Sequence, residues 1–286
     1  MNAVHAIDVT RAQLFALVRR PAAWTIVAAM IVLNQVFSFV IPYLSYRSAD
    51  PSGFDAGATP EELLAGTLPA QVVTNTLGGF PVFAGALALA LGALVLGSEY
   101  GWGTFKTIVT QRPARLSVLA GQMLAVITFI AGTVVMLFAM SIVTSTAIAL
   151  GEGESAALPS VSHLAEGYVG GTLVLSTWAI IGATLAVVLR SVALPVGLGI
   201  VWALGIENLL SAMARTALSA LEPLRDVLPG VNAGSLVAAL TPERIGSAAP
   251  GVAETVSGGR AITTLLAYVV VAAVVAAWCH RRRDVA

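Results

Sequence analysis

Apolar residues in this chain gather into long continuous blocks instead of alternating as in a strand or tracing the single stripe of a surface helix. Six blocks stand out: Ala22 to Ile41, Gly79 to Gly97, Val118 to Leu150, Gly167 to Leu189, Val192 to Leu210 and Ala261 to Cys279. Each is bounded by proline, glycine or charge. A helix needs about 20 apolar residues to cross a hydrocarbon layer of roughly 30 Å, because each residue adds about 1.5 Å. Barrel strands of about 9–11 alternating residues do not fit such runs. The pattern predicts an all-α polytopic membrane protein, with six transmembrane helices in one domain over residues 1–286. Pro21 suits the first turn of the first span, Pro42 is expected to end it, and Pro81 to open the second. The third block is too long for one perpendicular crossing, which predicts a tilted helix or one that begins in the cytoplasm.

The segments between blocks set the orientation. Arginine and lysine near span ends are retained in the cytoplasm. With the N-terminus inside, the cytoplasmic pieces are 1–21, 98–117, the Arg190–Ser191 turn and 280–286, and they hold Arg11, Arg19, Arg20, Lys106, Arg112 and Arg115 together with the terminal arginines. The outer pieces are acidic, with Asp50, Asp55, Glu61, Glu62, Glu152 and Glu154 among others. Residues 4–20 place Val4, Ile7, Leu14 and Leu17 among charged positions, predicting an N-terminal interfacial amphipathic helix on the inner surface of the lipid bilayer. Outside, 43–78 reads as largely irregular and 151–166 as a small acidic loop. Within the extracytoplasmic segment 212–260, preceded by Leu209 and Leu210, apolar residues recur at helical spacing through Leu224, predicting an amphipathic helix at the outer surface, bent or ended by Pro223 and Pro229.

Composition supports the membrane reading: 57% of residues are hydrophobic and 10% charged, with a mean hydropathy of +0.88. A soluble core of this size could not hide that surface. A formal net charge of zero gives no electrostatic reason to expect a nucleic-acid partner. The single cysteine, Cys279, permits no disulfide within the chain, and His5, His163 and His280 show no metal-ligand spacing. No Gly-x-Ser-x-Gly elbow is present. A phosphate-binding loop requires glycine before its lysine, but the only lysine, Lys106, follows Phe105. The chain is therefore expected to be no enzyme and to hold no cofactor, with any ATP and magnesium bound by a partner ATPase.

Two places remain where chemistry could reside. A charge at the centre of a span costs about 2.5–3.5 kcal/mol on insertion scales, and these spans are almost free of them. The exception is Glu207 with Asn208, near the outer end of the fifth block. The pair reads either as an interfacial carboxylate within reach of outer water or as part of a substrate path. The lack of ionisable groups near mid-membrane argues against a transporter driven by protons or sodium. The second place is the first cytoplasmic loop, GSEYGWGTFKTIVTQRPARLSVLAGQ over residues 97–122, where Gly101 and Gly103 allow a turn and Thr104 to Thr110 can form a short helix.

That loop resembles the one in membrane subunits of type 2 ATP-binding-cassette exporters. Glu99, Gly103, Thr104, Pro113 and Arg115 match the family's order and approximate spacing, and the N-terminal helix, six spans, outer helical segment and Arg282-Arg283-Asp284 ending extend the resemblance over nearly the whole chain. The resemblance implies a permease without enzymatic activity that pairs with an identical or related permease and recruits separate cytoplasmic ATPases. It implies a short cytoplasmic coupling helix around Thr104 to Thr110, whose apolar face of Phe105, Ile108 and Val109 would make the buried contact while Glu99, Lys106 and Arg112 would orient it. Localisation would be the inner cell membrane with both termini cytoplasmic, and the substrate a drug, antibiotic or peptide. A membrane scaffold or sensor without transport activity remains the alternative reading.

Overall fold

The computed structural model describes residues 3–48, 57–101, 115–216, 219–246 and 248–282. Among the described residues all regular structure is helical. Helix α1, Ala3–Val18, leads into α2, Pro21–Ser48, followed by α3, Pro60–Thr67, and α4, Pro69–Ser98. Next come α5, Leu116–Glu152, α6, Val161–Leu189, and α7, Ala193–Ala214. The described chain closes with α8, Pro229–Leu240, and α9, Gly258–Arg281. As expected from the apolar blocks, six helices (α2, α4, α5, α6, α7 and α9) are long and apolar enough to cross a membrane.

Helix α6 is the axis of the bundle, buried along most of its length against α4, α8 and α9. Its crossing with α4 is close because both helices carry glycine at the contact. A Cβ on Gly92 would lie 2.7 Å from the carbonyl carbon of Ala179, and one on Gly182 would lie 2.8 Å from that of Leu89. Where apolar surroundings remove the hydrophobic drive between helices, such backbone contact is what dispersion forces require. Large apolar side chains on α7 and α9, such as Leu198, Val201, Val270 and Val274, face outward, as a bilayer-covered surface does.

One end of the bundle is fastened by α1. Val9 and Leu17 are buried there, Thr10 Oγ1 donates to the Gly121 carbonyl at 3.1 Å, and Arg20 Nη1 donates to Ser98 Oγ at 3.0 Å and to the Leu94 carbonyl at 3.3 Å. The outward face of α1 carries Ile7, Phe15 and Val18 beside Arg11, with the Arg19 guanidinium 4.0 Å over the Phe15 ring. At the opposite end the two tyrosines Tyr43 and Tyr46 donate to Glu152 at 2.6 and 3.2 Å, tying α2 to the end of α5.

Several boundaries differ from those read in the sequence. Pro42 does not end the first span. A π-turn at Val36–Val40, in which the Ile41 N–H reaches back to the Val36 carbonyl, carries the helix past it to Ser48. The widened turn relieves the collision between a proline ring and the carbonyl four residues earlier. The second span begins earlier, at Pro69, and Pro81 stands in the first turn of the part that resumes after Gly79. The stretch expected to be irregular is largely helical where described, with α3 held by a reciprocal cap between Thr59 and Glu62. Residues 161–166 belong to α6. In the outer segment the helical turn over 207–216 continues α7, Glu222–Arg225 forms one short turn, and the principal helix is α8, buried against α6 and α9. Its small residues Ala233, Gly234, Ser235 and Ala238 let it sink between neighbours, a signal the amphipathic pattern upstream obscured.

Candidate functional site

The second span is discontinuous. It turns at Gly78 and Gly79, and the missing N–H of Pro81 leaves the Leu77 carbonyl without its helical donor. The helix resumes through a π-turn at Phe80–Ala84, where Ala84 N–H bonds to the Gly79 carbonyl at 3.0 Å. In an apolar surrounding a freed carbonyl needs another donor. The first span donates not to Leu77 but to the two carbonyls just before it. Asn34 Nδ2 donates to the Asn75 carbonyl at 2.7 Å and reaches the Thr76 carbonyl at 3.5 Å, while Ser38 Oγ donates to the Asn75 carbonyl at 2.9 Å.

The amides are themselves fixed by further bonds. Asn34 Oδ1 accepts from Ser141 Oγ at 3.1 Å and from Gln35 Nε2 at 3.4 Å, and Gln35 Oε1 accepts from Thr144 Oγ1 at 2.6 Å. Asn75 Nδ2 donates to the Gly66 carbonyl at 2.8 Å. Three spans, α2, α4 and α5, thus meet at one neutral polar centre. The π-turns of α2 and α4 face each other there, with the rings of Phe37 and Phe83 stacked 5.9 Å apart at an interplanar angle of 5°.

Beside this centre lies a cavity of about 580 Å³, bordered by α2, α3, α4 and the segment after α8. Its size falls within the roughly 300–1,000 Å³ of small-molecule sites. The wall around the helix break is neutral, combining Asn34, Ser38 and Asn75 with Met30, Phe37 and Phe83. Among the described residues, charge enters the lining only with Glu62 and Arg244.

The residues singled out in the sequence lie elsewhere. Glu207 is buried, 4% exposed, and its Oε1 accepts the backbone N–H groups of Gly230 at 2.5 Å and Val231 at 3.0 Å. It caps the first turn of α8, whose own N-cap Leu228 has no side-chain acceptor. The reading of an interfacial carboxylate open to water is thereby corrected. Asn208 is exposed and bonds the carbonyls of Ala203 and Leu204 in its own helix. Neither residue lines the cavity. Of the coupling-loop candidates, Glu99 falls in the last turn of the helix Gly85–Gly101 and Arg115 opens the helix Arg115–Glu152. Gly103, Thr104, Phe105, Lys106, Ile108 and Arg112 lie outside the described residues.

Asn34, Ser38 and Asn75 are uncharged, so the distribution of charge along the spans does not mark them. The available signal was the pairing of amides in one apolar block, Asn34-Gln35, with Thr74-Asn75-Thr76 just ahead of Gly78-Gly79 and Pro81. Among the described residues there is no cluster of three or more potential metal ligands. The chain matches no family model, and no curated protein matches it.

Proposed function

We propose that this chain is the membrane subunit of an ATP-driven exporter of the type 2 ATP-binding-cassette class, dimerising with an identical or related permease. The observation that carries the reading is a cavity of about 580 Å³ beside a break in the second of six apolar spans, where the first span packs against it. Discontinuous helices with polar lining are where membrane transporters accommodate cargo, since non-helical backbone is tolerated only when buried in protein or facing a cavity. Spans nearly free of charge support an energy source outside the chain, and the loop resemblance around Glu99 to Arg115 supports a separate cytoplasmic ATPase as that source. In this arrangement both termini are cytoplasmic, α1 rests on the inner leaflet through Ile7, Phe15 and Arg11, and the loop at 98–117 contacts the motor. ATP and magnesium would be held by the motor, and the cargo would be a drug, antibiotic or peptide.

The test is hydrolysis in complexes isolated through a tag on this chain from its native membranes. Magnesium-dependent ATPase activity should accompany the intact complex and disappear when the chain is stripped of its partners. Intact complexes devoid of ATPase activity would contradict the proposal and favour a scaffold.

A further inference from the structure

We infer that the cavity beside the helix break binds an amphiphile carrying one acidic group, and that Arg244 is the residue that selects it. The two charged residues that line the cavity are not equivalent. Glu62 is exposed, and its Oε2 already accepts the Thr59 N–H at 3.0 Å in the cap of α3. Arg244 is half-buried and makes no ion pair or hydrogen bond among the described residues. Its backbone is anchored: Gln71, near the start of α4, donates from Nε2 to the Glu243 carbonyl at 3.1 Å. A guanidinium keeps its charge at any accessible pH, and in a partly desolvated site its attraction for an anion exceeds that at an open surface. Paired with a carboxylate, sulfonate or phosphate it forms charge-assisted hydrogen bonds.

The rest of the wall specifies the other end of the ligand. Among the described residues no formal charge faces the helix break, where the side chains of Asn34, Ser38 and Asn75 donate to backbone carbonyls. Beside them stand the Phe37 and Phe83 rings, each with more than a third of its surface open. Such a wall receives an aromatic or acyl body and gives nothing to a second charge. A cationic ligand of the same shape would leave Arg244 facing a like charge.

As a substrate class this deepens the exporter reading and rests on it, but the test uses the full-length chain alone in phosphatidylcholine nanodiscs, without an ATPase. Failure of the titration would therefore leave the exporter reading standing. Three probes sharing one dansyl-acyl body are titrated: the carboxylic acid, its methyl ester and the corresponding amine. The acid should bind saturably and at least tenfold tighter than the ester, with the amine weakest. Arg244→Gln should remove the preference for the acid while leaving ester binding intact, which shows that the variant is folded. Arg244→Lys should retain most of the preference, and Phe83→Ala should weaken all three probes. Replacing part of the phosphatidylcholine with phosphatidylglycerol distinguishes two sources of the natural acid. Competition by that lipid places it in the membrane, unchanged affinity places it in solution, and both support the site. Equal affinity for acid and ester in the wild type, or an acid preference that survives in Arg244→Gln, would overturn the inference.

Discussion

At the residue scale, two side chains settle backbone groups that no local partner can reach. Asn34 supplies an N–H to carbonyls of a span that a proline has interrupted. Asn34→Leu keeps the volume, strands the Asn75 carbonyl with Ser38 alone and the Thr76 carbonyl with less, and should lower stability by about 1–2 kcal/mol. Thermal unfolding in detergent checks this, and an unchanged midpoint would mean the amide is not what satisfies the break. Glu207 performs a comparable task for α8. Glu207→Gln preserves an acceptor oxygen and should leave stability and transport near wild type, whereas Glu207→Leu leaves two N–H groups of a buried helix start unpaired and should cost about 1–3 kcal/mol. Loss of transport in a stable Glu207→Gln variant would restore a role for the carboxylate charge. Glu207 was visible in the sequence as an isolated acid in an apolar block. Its role was not, because its partners are backbone N–H groups 23 and 24 residues further along.

At the scale of elements, the six spans were legible because crossing a hydrocarbon layer demands long apolar runs, and few other structures need them. Their ends were less legible. Proline is a reliable stop in water, but in these helices Pro42 and Pro81 are absorbed by π-turns, and the interrupted backbone of α4 is repaired by side chains from α2. The repair joins residues 41 positions apart through neutral groups, so neither charge nor local pattern announces it. The crossing of α4 and α6 is a further consequence of position that composition alone does not reveal. Gly92→Ala or Gly182→Ala must drive backbones apart and should each cost about 1–3 kcal/mol. Gly132→Ala, on an open face of α5 with nothing within 4 Å of the new Cβ, should be neutral or stabilise by roughly 0.5–1 kcal/mol. Equal stability of all three variants, measured by unfolding in one detergent, would deny the close approach.

At the scale of the whole molecule, the proposed function requires α1 and the Glu99–Arg115 loop to be cytoplasmic. In a background with the buried Cys279 replaced by serine, a cysteine at the exposed Ser155 should react with an impermeant thiol reagent added to intact cells, and one at the exposed Arg11 should react only after permeabilisation. The reverse pattern would invert the protein in the membrane. The proposed function stands or falls on coupling to a separate motor. If Phe105 seats the loop in that motor, burial of its ring is worth about 1.5–3 kcal/mol, enough to change occupancy of the interface tenfold or more. The most direct measurement is the amount of ATPase, read by mass spectrometry, that co-purifies from native membranes with the wild-type chain and with Phe105→Ala at equal membrane abundance. An ATP-binding-cassette ATPase recovered with the wild type and depleted at least tenfold with Phe105→Ala is the predicted result; no such ATPase, or equal recovery with both chains, would contradict it.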